Sequence, residues 1–363
     1  MQSQTKIGMR HTVQMAIIVG IFGAAALSSA SAQQSTSDMV AQARAQAYEV
    51  WHQQIKRIDP PAAGCFHASY PSVIWEKVAC TGVARHRPTP RKNAVGVLQT
   101  VGDGNDYVAQ TSTLTQSATG SFPTVTGVTS EQSEGAASGE GNDGANTYTL
   151  QLNTNYNAST AACNGSFSSC TAWEQFIYES DGTGSGEGSV YIQNWLLDYD
   201  WGFICPSSSW QAAPEAGGCV MNSAAISVPG ISVTELANVK LEGSATANGL
   251  DKVTLTYNGE AYAETQPDST VDIASVWKQS EFGIFGDGGG ASADFNSGSS
   301  ITVNLAVNAG STAAPTCVAN SGSTGETNNL TLGSCTTAGG SSIRRPPSSR
   351  ITCSPRSCRR RTA

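Results

Sequence analysis

The stretch TAWEQFIYESDGTGSGEGSVYIQNWLLDYD, Thr171 to Asp200, decides the fold class. Its second half, SVYIQNWLLDY (189–199), alternates with a period of two, which sends neighbouring side chains to opposite faces of a strand. Val190, Ile192 and Leu196 take one face; Tyr191, Gln193, Trp195, Leu197 and Tyr199 take the other. A second stretch, VWKQSEFGIFGDGGG (Val276–Gly290), repeats the design. Read as a strand over 277–285, it groups Glu281 with Trp277, Gln279 and Phe285, while Phe282 and Ile284 point away. Each strand thus carries an amide or carboxylate on a face with rings, and such a group requires a partner or a chemical role.

Short alternating runs recur around these two. They include YTLQLNTNY (148–156), VKLEGSA (239–245), DKVTLTYNGEAYAET (251–265) and SSITVNLAV (299–307). Asn258-Gly259 is a hairpin turn between two β-rich arms. From about Tyr107 onward Gly, Ser, Thr and Asn dominate, and no clean repeat is visible. The pattern predicts an all-β domain over 101–315, a concanavalin-like β-sandwich or jelly roll. Residues 33–100 are expected to hold a helix, a disulfide loop and a linker. Val40, Ala43, Ala47, Val50 and Trp51 recur at helical spacing over 37–58, and Asp59-Pro60-Pro61 stops the run. The loop GCFHASYPSVIWEKVAC (64–80) is expected to pack Tyr70, Ile74 and Trp75 onto the domain. The basic, Pro-rich stretch 85–93 reads as a linker. Residues 316–363 read as a disordered tail, polar and then basic. Its last piece is either an adhesive extension or the product of a shifted reading frame.

Residues 1–32 read as a secretory signal, with a basic lead, the apolar run Met15–Leu27 and the small-residue site Ala30-Ser31-Ala32. The apolar run is too short to span a bilayer, and no later stretch is apolar enough for a transmembrane helix. The 10 cysteines fall as neighbours, 65/80, 163/170, 205/219, 317/335 and 353/358. Export and an even count favour disulfides, with neighbour pairing the simplest arrangement. No CxxC pair occurs and the four histidines are scattered, so no metal or other cofactor is expected. Of 20 bases, two lie in the leader and seven after Ile343. The remaining 11 face 28 acids, a net charge of −17 for 33–343. So acidic a body is a poor nucleic-acid binder. It suits an acidic medium, where protonated carboxyls relieve self-repulsion. The chain is expected to be a monomer outside the cell or in the periplasm.

An aromatic face with isolated polar groups has the character of a concave binding surface. The alternative is that Gln193 and Glu281 only bond nearby backbone. The order of residues resembles the glutamic peptidases (eqolisins), secreted acid proteases on a β-sandwich, over about Tyr107 to Val307. The matching positions are Trp173, Asp181-Gly182, Ile192-Gln193, Asp198-Tyr199, Ser280-Glu281-Phe282-Gly283-Ile284 and the Gly-rich turn 286–291. The resemblance implies a protein or peptide substrate. It implies Glu281 as general base and Gln193 as the amide that orients water and the oxyanion, with the two meeting in one cleft. It also implies Trp173 and Asp181 beside them, and Trp210 as a further subsite. Three features depart from the family: the Trp-to-Asp interval is longer, Phe282 stands where Trp is common, and the segment before residue 100 has no counterpart.

The rival function is binding of polysaccharide by Trp195, Tyr191 and Trp277, because sugar rings stack on aromatic faces. A cell-surface structural role is the third possibility. Gly286–Gly290 lacks the ending of a phosphate loop. Asp287 and Asp294 lack EF-hand spacing. Glu174 and Glu179 would fall on opposite faces of one strand, against a glycosidase pair. No Gly-x-Ser-x-Gly elbow is present.

Overall fold

The computed structural model describes residues 36–83, 107–136, 141–155, 158–164, 168–180, 186–200, 204–214, 217–319, 326–339 and 349–354. The expected leader (1–32) and linker (85–93) lie outside them. Chain contacts divide the protein into residues 1–44 and 45–363. The described part of the first unit is the opening of helix α1 (Thr36–Ile55), where the helical spacing predicted one.

The strands in chain order begin with β1 (Gly64–Ser69), β2 (Glu76–Val78), β3 (Thr81–Val83), β4 (Tyr107–Gln110), β5 (Ser117–Thr126), β6 (Glu131–Glu134), β7 (Gly144–Ala145) and β8 (Tyr148–Thr154). There follow β9 (Thr171–Glu179), β10 (Glu187–Leu197), β11 (Gln211–Ala213), β12 (Gly218–Asn222), β13 (Ala224–Pro229), β14 (Val239–Ala245), β15 (Leu250–Tyr257) and β16 (Glu260–Pro267). The series closes with β17 (Gln279–Gly286), β18 (Ser292–Phe295), β19 (Ser300–Asn308), β20 (Thr316–Ala319), β21 (Thr327–Asn328), β22 (Ser334–Ala338) and β23 (Ser349–Ser354). Asn258 and Gly259 have φ of 50° and 84°, as a tight hairpin between β15 and β16 requires.

The fold is an all-β sandwich. A nine-stranded sheet runs β2-β1-β16-β15-β14-β5-β19-β23-β22. A ten-stranded sheet runs β11-β12-β10-β9-β8-β17-β4-β20, with β13 and β3 attached through β10. A four-stranded sheet, β21-β18-β6-β7, completes the described strands. Leu150, Leu152, Phe176, Ile192, Phe282 and Ile284 of the ten-stranded sheet share one core with Phe122, Leu241, Val253 and Leu255 of the nine-stranded sheet. On β10 and β17 these are the faces that the period of two predicted to point away from Gln193 and Glu281.

Two glycines set how closely the sheets approach. A Cβ on Gly120 of β5 would collide with the Phe282 ring, and one on Gly243 of β14 would collide with the Phe176 ring. The rings therefore lie on bare backbone. Phe282 packs against Phe122 at 5.0 Å, and Phe176 against Trp277 at 5.7 Å.

On the outer face of the nine-stranded sheet, Trp51 and Ile55 of α1 pack against Phe66, Ala68, Trp75, Ala261 and Ala263. Polar links join the helix and the residues after it to β14 and β15: Glu49 to Lys240, Lys56 to Glu242 and Asp59 to Lys252. Trp75 packs as the sequence suggested, but Ile74 is 70% exposed. Disulfides join Cys65–Cys80, Cys163–Cys170, Cys205–Cys219 and Cys317–Cys335. The pairing of Cys353 with Cys358 falls outside the described residues.

Part of the polar region from Thr316 is built into the sandwich, where the sequence suggested a tail without structure. β20 pairs with β4, and β22 and β23 extend the nine-stranded sheet from β19. The Cys317–Cys335 bridge ties β20 to β22, so these segments join the sheets without a hydrophobic core of their own.

Gly243→Ala is expected to destabilise the protein by about 1–3 kcal/mol through overpacking against Phe176. Gly82→Ala, where an added Cβ meets nothing within 4 Å, should stay within about 0.5 kcal/mol of wild type. Urea unfolding of the two variants checks both.

Candidate functional site

Five strands of the ten-stranded sheet bring polar residues into a single row. The register pairs Asn222 with Gln193, Gln193 with Gln175, Gln175 with Asn153, and Asn153 with Glu281. Gln193, Gln175, Asn153 and Glu281 lie on the face turned away from the inter-sheet core, because each alternates with a core residue: Ile192, Phe176, Leu152 and Phe282. None of these four polar residues has exposed surface.

Hydrogen bonds run along the row. Gln193 Nε2 donates to Asn222 Oδ1 at 2.8 Å. Gln175 Nε2 donates to Asn153 Oδ1 at 2.9 Å and to Gln151 Oε1 at 3.2 Å. Asn153 Nδ2 donates to Glu281 Oε2 at 3.2 Å. The donors of Gln175 and Asn153 are thus directed toward the Glu281 carboxyl.

Rings border the row. Trp173 and Trp195 are cross-strand partners whose rings stack at 6.3 Å, and Trp195 Nε1 donates to Gln193 Oε1 at 2.8 Å. Leu197, Ala213 and Val220 complete that cluster. Farther along the same strands Tyr191 packs with Ile177 and Ala225. Burial, reinforced by the charge of Glu179, pushes the Tyr191 hydroxyl well above its ordinary value.

The structure places Gln193 and Glu281 on one sheet and one face, with Trp173 and Trp195 beside Gln193. Gln175 and Asn153 stand between the two in register. Three strand spacings, roughly 14 Å, separate their backbones. Trp277 departs from its predicted place. It precedes β17, so strand alternation does not reach it, and its ring is buried in the inter-sheet core against Phe176. Its indole N–H bonds the Gln279 carbonyl at 2.9 Å and Ser280 Oγ at 3.0 Å. Trp210 is half-buried and packs against the main core. Asp181 lies outside the described residues.

Gln175, Asn153, Gln151 and Asn222 were not singled out from sequence. The alternation of Thr149, Gln151 and Asn153 with Tyr148, Leu150 and Leu152 marked a polar face on β8, but only the register aligns it with Gln193 and Glu281. The glycine-rich segment after β17 forms a turn, with φ of 108° at Gly288 and 84° at Gly290. Asp287 beside it accepts bonds from the backbone and side-chain amides of Asn142, both at 3.1 Å. Among the described residues no group of three or more His, Cys, Asp or Glu converges as a metal site would need.

The fold and this row define a disulfide-bonded β-sandwich with a carboxamide–carboxylate face. Among solved structures, the chain is similar to scytalido-glutamic peptidase with a peptide-based transition state analog, at 15% identity and a TM-score of 0.28. It is also similar to the same peptidase with a transition state analog inhibitor, at 12% identity and a TM-score of 0.24. Each match covers 70% of this chain and 94% of the other. No family model and no curated protein matches the chain.

Gln175→Met keeps the length of the side chain but removes both donors, leaving the Asn153 and Gln151 oxygens short of partners. The expected loss is about 2–6 kcal/mol of stability, at about 1–3 kcal/mol for each of the two buried oxygens that loses a donor. Equilibrium unfolding in urea measures it.

Proposed function

We propose that this protein is an exported, acid-active endopeptidase in which Glu281 is the general base. The observation that carries the reading is the amide row that ends on the Glu281 carboxylate. A carboxylate held by neutral amides can take a proton from water as that water attacks a peptide carbonyl. Gln193 supplies an N–H toward the developing oxyanion once it turns from Asn222. The pair acts together only when both side chains lean inward across the strands between them. Such a dyad uses neither histidine nor a metal. The four described disulfides fit an oxidising compartment. No described helix is long and apolar enough to cross a membrane.

Full burial favours a second reading, a non-catalytic exported sandwich in which the row is a structural network. It also counts against polysaccharide binding on this face, because Trp173 and Trp195 are sealed from a sugar ring.

Casein digestion at roughly pH 3–4, where a Glu retains a fraction of working base, separates the two readings. Wild type should cleave, and Glu281→Gln should lose about 10²–10⁴-fold. Gln193→Leu should lose about 10²–10³-fold. Equal turnover in wild type and Glu281→Gln would end the peptidase reading, as would an inert wild type.

A further inference from the structure

Behind the amide row, on the opposite face of the same strands, four acids are enclosed between the sheets. Glu174 stands between Trp173 and Gln175 on β9 and points into the sandwich. It meets Asp251 of β15, while Glu264 of β16 and Asp268 of the turn after β16 lie nearby. None is more than 2% exposed. The acids act on one another from Glu174 to Asp251 and from Asp251 to Asp268. A carboxyl oxygen can bond another only when one of the two carries a proton. Glu174 Oε1 and both carboxyl oxygens of Asp251 are buried with no hydrogen-bond partner, which is costly for an ionised acid. Asp268 ends the chain as an acceptor, taking the Ala274 N–H at 3.1 Å and the Asn248 N–H at 3.2 Å.

Amides tie this cluster across the sheets. Gln266 Nε2 of β16 donates to Glu174 Oε2 at 3.3 Å and to Asn194 Oδ1 of β10 at 2.7 Å. Asn194 Nδ2 returns a bond to Gln266 Oε1 at 3.0 Å. Glu264 bonds Ser223 and pairs in register with Cys65 of β1. The charges acting on the chain are those of its own members and of Asp272. Lys252 follows Asp251 but projects through the other face of its sheet to Asp59 at 2.7 Å and the Lys56 carbonyl at 3.3 Å. His67 of β1 and Glu260 of β16 pair with each other at 2.8 Å, farther along these two strands.

We propose that this carboxyl chain is a pH latch for the site: with its protons it binds the two sheets together behind Gln175 and Gln193, and without them it drives the sheets apart. Glu174 and Asn194, which tie the latch, lie on the two strands that carry Trp173, Gln175, Gln193 and Trp195. Opening it would dissolve the row from behind. The proposal is independent of the peptidase reading, because unfolding rather than turnover reports on it.

The sign follows from burial. Desolvation and neighbouring acids push Glu174 well above the carboxylate range and Asp251 up to about 8; desolvation pushes Glu264 up to about 8. In the unfolded chain these groups titrate at roughly pH 4. Between those limits the folded protein holds more protons than the unfolded chain. Their contribution to stability is complete below roughly pH 4 and is lost as pH rises toward about 8. Each such proton raises the unfolding equilibrium constant about tenfold per pH unit over that range.

The test is urea unfolding of the full chain at several pH values from roughly 4 to 7, for wild type, Asp251→Asn and Glu264→Gln. Wild type should weaken steeply as pH rises. Each variant should weaken by about tenfold less per pH unit, which separates the latch from the general repulsion of an acidic body. Hydrogen exchange of wild type should show β9, β10, β15 and β16 losing protection before β5 and β19. A flat wild-type profile, a wild-type slope in a folded variant, or uniform loss of protection would overturn the proposal. Should neither variant fold, the wild-type slope and the exchange pattern still decide it.

Discussion

The rings of Phe176 and Phe282 lie directly on the backbone of the opposing sheet at Gly243 and Gly120, and this contact fixes the separation of the two layers. Interiors are close-packed, so a methyl group at either glycine has nowhere to go without moving a ring. Phe176 and Phe282 alternate along their strands with Gln175 and Glu281. Clamping a ring on one face therefore immobilises a polar group on the other. The inter-sheet core and the amide row are two sides of the same strands, and the rigidity of the first is what holds the geometry of the second.

Burying so many amides and acids is costly unless they satisfy one another. The row does this by passing hydrogen bonds sideways, from Gln175 to Asn153 and from Asn153 to Glu281. The inter-sheet acids are placed differently: burial and one another push them above the carboxylate range, which favours the protonated form. Glu131, a buried acid elsewhere in the fold, follows the same rule. Burial pushes it up to about 8, with the charges of Asp294 and Asp287 adding to the effect. Acids without a basic partner can be enclosed in this way only where they remain neutral.

Much of the fold was legible beforehand. Alternation assigned the faces of β10 and of β17, since Ile192, Leu196, Phe282 and Ile284 enter the inter-sheet core while Gln193, Trp195 and Glu281 do not. Asn258-Gly259 marked its hairpin, and the spacing of cysteines matched the pairing of all four described bridges. The period misled at Trp277, where the strand had not yet begun. The strands after Thr316 carry no hydrophobic alternation that could have announced them, because a disulfide and the edges of existing sheets hold them in place.

Local pattern thus determined which way each side chain faces, because the pleat has a fixed period and each residue reads it alone. Which strands lie side by side, and in what register, depends on contacts between residues far apart in the chain. That is why the sequence could nominate Gln193 and Glu281 but not Gln175 and Asn153 between them. For the same reason it weighed Glu174 only against Glu179 on its own strand, and only the packing of one sheet on the other brought it to Asp251 and Asp268.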